Sequence, residues 1–131
     1  MNDCLFCKII KGEIPSSVVY EDDLIEIIMN INPNTNGHLL VIPKNHYTNL
    51  LDTPNDIITH TLDIVRKDIY PKLKEKILCE GLTLAQNNEL GQEIKHYHLH
   101  LIPRYKNDNA DFTYDGENIK EVSEIYNKIM D

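Results

Sequence analysis

At 131 residues the chain has the size of one domain, taken here as residues 1–131, and can bury roughly two-thirds of its unfolded surface around a single core. Hydrophobic residues make up 41% and charged residues 26%, an ordinary globular balance, and apolar runs such as Leu39 to Ile42 are far too short to span a bilayer. The formal net charge of −8 argues against broad nucleic-acid binding, which needs a basic face.

In chain order, Cys4 to Lys11 reads as a short helical opening closed by Gly12. Lys8 and nearby acids interrupt its apolar character, so it does not read as a signal peptide. Val18 to Tyr20 and Leu24 to Asn30 are rich in β-branched and aromatic residues, and Glu21-Asp22-Asp23 between them predicts a hairpin turn. Turn formers crowd Asn32 to Gly37, and a third strand, His38 to Ile42, is stopped by Pro43. The long helix follows, with Thr53 as N-cap, Pro54 at the first helical position and Asp56 completing a capping-box-like pattern. Its inward face is read from Ile58, Leu62, Val65 and Ile69, and Pro71 is expected to kink or restart it. Leu82 to Gln86 and Ile94 to Ile102 give two further strands, and Val122, Ile125, Tyr126 and Ile129 mark a C-terminal helix. The pattern predicts an α+β fold: an antiparallel sheet of about five strands, one long helix and a C-terminal helix.

The distribution of acids is more telling than their number. There are 21 in the chain, yet Ile31 to Leu51 and Ile94 to Asn107 contain none, while holding five of the six histidines together with Lys44, Lys95, Arg104 and Lys106. An acidic protein with two acid-free, histidine-rich segments suggests a local anion site, although buried strands also shed charge. The sharpest signal lies in the second segment, His96-Tyr97-His98-Leu99-His100. On a strand, alternate residues share a face, so three imidazoles would line up ~7 Å apart while Tyr97, Leu99 and Leu101 anchor the other side. Imidazole titrates near neutrality, so such a row suits a nucleophile with orienting and proton-donating neighbours; it also suits a catalytic metal. Cys4 and Cys7 have the spacing of a metal half-site and, like Cys79, point to a reducing, cytoplasmic setting rather than a disulfide framework. Cys79 is expected in the core and His60 in solvent.

Three segments carry a family resemblance. Gly91-Gln92-Glu93-Ile94-Lys95 followed by His96-Tyr97-His98-Leu99-His100-Leu101-Ile102 is similar to the defining motif of the histidine triad (HIT) family. Gly37 to His46 resembles its second characteristic segment, and Cys4 to Pro15 resembles the opening of its zinc-bearing, Hint-like members. The resemblance implies a homodimeric nucleotide hydrolase or transferase, acting on a purine nucleotide substrate, with no nucleic-acid or membrane partner. Its reaction would be at the α-phosphorus of nucleoside phosphoramidates or other adenylylated compounds. His98 would form a nucleotidyl-histidine intermediate, flanked by His100 and His38. Phe6, Ile9 and Ile31 would hold the base and Asn30 the ribose, with Asn87 (or Asn88), Gln92 and Glu93 on the phosphate and leaving-group side. Cys4, Cys7, His46 and His96 would close a structural zinc site. Two positions depart from the family: Asn30 where an aspartate is usual, and Glu93 where serine or threonine is usual. The Glu89-Leu90 link is also short. Dinucleoside polyphosphate hydrolysis, a binding module with little catalysis, and a hydrolase with zinc on the triad are the competing readings.

Overall fold

The computed structural model describes residues 3–111 and 113–131. It is an α+β fold of one five-stranded antiparallel sheet in the order β1-β2-β3-β5-β4. The strands are β1 (Val18–Glu21), β2 (Ile25–Met29), β3 (Leu39–Pro43), β4 (Gly81–Ala85) and β5 (Leu99–Arg104). The helices are α1 (Leu5–Ile10), α2 (Asn55–Ile64), α3 (Tyr70–Ile77) and α4 (Val122–Met130).

Alternation along the strands gives the sheet two different faces. Ile25, Ile27, Leu39, Val41, Leu99 and Leu101 pack with Val65 and Ile69 of the long helical segment. On the other side, Ile28, Leu40 and Ile42 pack with Phe6 of α1. This short helix lies on the second side, and there its Phe6 meets His96 and His98.

The long helix departs from expectation in three ways. Thr53 does not cap it: its hydroxyl donates to the Asn49 carbonyl, and the first helical amides turn back to Pro54. The buried positions are Ile57, Thr61, Val65 and Ile69, whereas Leu62 is exposed. That four-residue ladder runs into a π-helical turn at Val65–Ile69, where the Tyr70 amide donates to the Val65 carbonyl. Pro71 explains the widening, because its ring crowds the carbonyl four residues back and it has no N–H to offer.

The triad strand is also shorter than expected, beginning at Leu99 rather than Ile94. Ahead of it the Tyr97 amide donates to the Tyr47 carbonyl, 2.7 Å away, and the His96 ring donates to the Pro43 carbonyl. Alternation survives out of the ladder: Leu99 and Leu101 join the core under the long helical segment, whereas His98 meets Phe6 on the other side. The apolar residues of α4 form the expected helix, but Val122, Tyr126 and Ile129 are exposed and no α4 residue is buried. His60, expected in solvent, is half-buried with its Nε2 2.6 Å from Asp22, whereas Cys79 is buried as expected.

Candidate active site and metal cluster

Two clusters flank Phe6. In the first, α1 presents Cys4 and Cys7 one turn apart, the end of β3 leads to His46, and the bend before β5 supplies His96. His96 Nδ1 lies 3.3 Å from Cys4 Sγ and 3.6 Å from Cys7 Sγ, and His46 Nδ1 lies 3.3 Å from Cys7 Sγ. All four donor atoms fall within 4.8 Å of one another. A tetrahedral ion with metal–sulfur bonds of about 2.3 Å and metal–nitrogen bonds of 2.0–2.1 Å has sulfur–nitrogen edges of about 3.6 Å, so the cluster has the dimensions of a closed four-ligand site. The outer sphere fits too: His96 Nε2–H donates to the Pro43 carbonyl at 2.9 Å, which leaves Nδ1 as the donor to metal. Among the described residues this is the one group of three or more such side chains able to converge on an ion.

The second cluster is His38, His98 and His100, all lining a cavity of about 710 Å³. His98 and His100 rings meet edge-on at 5.0 Å, and the Phe6 ring meets His98 edge-on at the same separation. Burial is the main force on these imidazoles and disfavours the charged form: His38 and His98 are lowered from the ordinary value, and His100 is lowered to about 4 with help from His98 and His38. For His98, the bond to the His96 carbonyl and the charge of Glu93 work against burial.

Neutral rings make the hydrogen-bond network decide the tautomers. The Asn34 amide donates to His38 Nδ1 at 3.0 Å, so the His38 proton sits on Nε2. Nε2–H in turn donates to His100 Nδ1 at 2.9 Å, which places the His100 proton on its own Nε2. His98 Nδ1–H donates to the His96 carbonyl at 2.8 Å, which leaves His98 Nε2 with an available lone pair. One ring is therefore poised to attack and its neighbour to donate a hydrogen bond. Asn30 Nδ2 stands 3.4 Å from His38 Nε2, but both atoms are donors in this state, so the Asn30 N–H groups remain uncommitted while its oxygen accepts the Asn32 amide.

Phe6, Ile9, Asn30, Ile31, Asn87 and Glu93 line the same cavity as the three histidines. Ile31 is 90% exposed and forms rim rather than wall. Gln92 does not line that cavity. Its amide donates to the Thr48 and Ile94 carbonyls and accepts the Glu89 amide, bracing the loop in which Glu89 and Gly91 take positive φ. Asn88 likewise ties Gln86 to the Leu50 amide, and Asn87 is the asparagine on the cavity. Sequence reasoning missed Asn34, whose backbone sets the tautomers; no side-chain signal could have found it. It also missed Thr83 and Ile102, which with Arg104 extend the cavity along β4 and β5, although Ile102 sits at the triad's own spacing.

The HIT domain family model matches residues 11–107. The chain belongs to the HIT domain family. An uncharacterized HIT-like protein, MJ0866 of Methanocaldococcus jannaschii, is 37% identical over 128 residues, covering 96% of this chain and 98% of its own. Adenylylsulfatase HINT3 of Arabidopsis thaliana is 40% identical over 113 residues, covering 82% of this chain but 55% of its own. Adenosine 5'-monophosphoramidase HNT1 of Saccharomyces cerevisiae is 37% identical over 103 residues, covering 77% and 62%. Among solved structures, SMU.412c of Streptococcus mutans UA159 superposes with a TM-score of 0.85 at 36% identity, covering 99% of this chain and 82% of that one. A zinc-bound histidine triad family protein of Mycobacterium smegmatis has a TM-score of 0.79 at 34% identity, covering 88% and 85%. The family, the α+β fold and the likeness to its zinc-bearing, Hint-like members hold as the sequence implied. Among the described residues no helix is long and apolar enough to cross a membrane.

Proposed function

We propose that this HIT protein hydrolyses adenylylated compounds, nucleoside phosphoramidates foremost, through a covalent nucleotidyl intermediate on His98. The observation that carries the reading is the state of His98: buried, its Nδ1 proton tied to a backbone carbonyl, its Nε2 free of any protein partner among the described residues and bordering a cavity of nucleotide size. His98 Nε2 forms a bond to the α-phosphorus as the leaving group departs. Water then attacks the same phosphorus, the Nε2–phosphorus bond breaks, and the electron pair returns to the ring. His100 Nε2–H, oriented through His38 and the Asn34 amide, donates to a non-bridging oxygen. Phe6, Ile9 and Ile31 hold a purine base, and the free N–H groups of Asn30 bind ribose hydroxyls in place of an acidic acceptor. The names of the HINT3 and HNT1 relatives support an adenylylated substrate.

In this reading Cys4, Cys7, His46 and His96 hold zinc in a reducing, cytoplasmic setting, and the protein works as a homodimer. A closed four-ligand zinc supplies structural cross-linking and has no open position for substrate. Dinucleoside polyphosphate hydrolysis is less well supported, since Arg104, the one lining cation among the described residues, is held by Asp108 in a bidentate pair. The test is turnover of adenosine 5'-phosphoramidate by the wild-type protein and by His98→Ala. Binding without turnover in the wild type would leave a nucleotide-binding module.

A further inference from the structure

The tautomers of His38 and His100 hang on one backbone amide, that of Asn34. Asn34 is exposed and belongs to no helix or strand, so the amide needs other support. The adjoining turn supplies it. The His38 amide closes that turn on the Thr35 carbonyl at 3.2 Å, with Gly37 in the left-handed region at φ 89°. A Cβ on Gly37 would run into Ile77 of α3 and the ring of Pro103, so glycine lets the turn sit directly against β5. The β3–β5 ladder ends at Leu39 and Leu101. Beyond it the Thr35 hydroxyl donates to the carbonyl of buried Pro103 at 2.6 Å, and the Tyr105 hydroxyl donates to the Asn36 carbonyl at 2.7 Å. These two side-chain bonds fasten the turn to the strand that carries His100. Thr35, next in sequence to Asn34, makes the less exposed of them.

Resting on the nucleotidyl-histidine reading above, we infer that Thr35 is a positioning residue for the reaction: its bond to Pro103 holds the Asn34 amide on His38 Nδ1 and so keeps the His100 proton on Nε2. The dependence runs through two rings. With the Asn34 N–H in place, His38 Nδ1 is the acceptor and its Nε2 the donor. His100 Nδ1 then accepts at 2.9 Å, and its own Nε2 keeps the proton. If the turn loosens, water competes for His38 Nδ1 and the Nδ1–H form of His38 becomes accessible. Its Nε2 would then accept from His100 Nδ1–H, and His100 Nε2 would meet a phosphate oxygen with a lone pair instead of a proton. A donor that stabilises the transition state would become a repulsive contact. Thr35 itself does not line the cavity, so its loss should change rate rather than nucleotide binding.

The experiment combines isotope-edited NMR of the histidine ring nitrogens at about pH 8, where imidazole is neutral, with kcat and KM for adenosine 5'-phosphoramidate. It compares wild type, Thr35→Val and Thr35→Ser. Valine keeps the branched shape and removes the hydroxyl, whereas serine keeps the hydroxyl. Wild type should carry Nε2–H on both His38 and His100. Thr35→Val should move His100 measurably towards Nδ1–H and lower kcat at least about tenfold, with KM within about threefold. Thr35→Ser should restore both readouts, and thermal melts follow the fold. If Thr35→Val is too unstable to assay, Tyr105→Phe removes the second tether at an exposed position and should shift the His100 tautomer in the same direction. Either readout unchanged in Thr35→Val, a loss that serine does not restore, or Nδ1–H on His100 in the wild type overturns the role of Thr35 and leaves His98 as the nucleophile. A wild type with the expected tautomers and no turnover overturns the nucleotidyl-histidine reading, and this inference with it.

Discussion

Replacing Cys7 by serine removes one donor of the four-ligand cluster, and its effect follows from what the cluster ties together. Helix α1 has six residues, too few to be stable alone, and Phe6 is its only buried side chain. Burying that ring contributes about 2–3 kcal/mol. The cluster adds cross-links: Cys7 and His46 are separated by 39 positions in sequence, and closing a loop of that size reduces unfolded-chain entropy by about 4 kcal/mol in the simplest account. Serine leaves three donors, and unfolded chains also bind metal, so a loss of about 2–4 kcal/mol is expected. For a chain of this length that lowers the melting temperature by roughly 10 °C. The assay is a thermal melt of wild type and Cys7→Ser with and without a zinc chelator, with kcat/KM measured at 20 °C, below both transitions. Chelated wild type should melt close to Cys7→Ser, and the variant should retain more than about a tenth of the activity, because no step uses the metal. If the two proteins melted within 2 °C of each other and the wild type ignored the chelator, the cross-link argument would be refuted.

His98→Ala should lower turnover by several orders of magnitude, on the order of 4 kcal/mol or more, while AMP binding by calorimetry stays within tenfold, since base and ribose contacts lie elsewhere. Activity above about a tenth of wild type would assign the nucleophile to another residue. Asp22→Asn should destabilise the protein by about 1–2 kcal/mol at pH 7. Burial tends to raise this carboxyl, but bonds from Tyr20, His60 and the Leu24 and Ile25 amides outweigh it and hold it well below the usual carboxylate range. A depressed carboxylate stabilises the fold above its unfolded value, about 3.9, and loses that contribution as pH falls towards the folded value. Urea melts should therefore show the gap between wild type and variant narrowing below about pH 4; a gap constant with pH would mean that Asp22 acts through packing alone.

The triad was legible because two-residue alternation survives where the ladder does not. Leu99 and Leu101 turn into the core while His98 meets Phe6 on the other face, although residues 94–98 do not pair with β3. The start of β5 was not legible, since bonds from His96 to Pro43 and from Tyr97 to Tyr47 join positions about fifty residues apart. Gln92 shows the same limit: its place in the motif suggested a cavity contact, but Thr48 and Ile94 engage its amide. The inward face of α2 was misjudged because Thr61 is the polar member of the buried ladder, with a hydroxyl that finds no partner among the described residues, and a polar residue does not enter an apolar pattern. In α4 the stripe predicted the helix correctly, and none of its residues is buried. Amphipathic spacing identifies a face that can be covered, without naming what covers it.

The covalent intermediate can be trapped directly. Mixing the protein with adenosine 5'-phosphoramidate, quenching within seconds at alkaline pH, where phosphohistidine-type bonds survive, and mapping peptides by mass spectrometry should reveal an adenylyl group on His98. The adduct should be absent from His98→Ala. An adenylyl group on any other residue, or steady turnover by the wild type with no adduct under conditions that slow its hydrolysis, would contradict a mechanism that passes through His98.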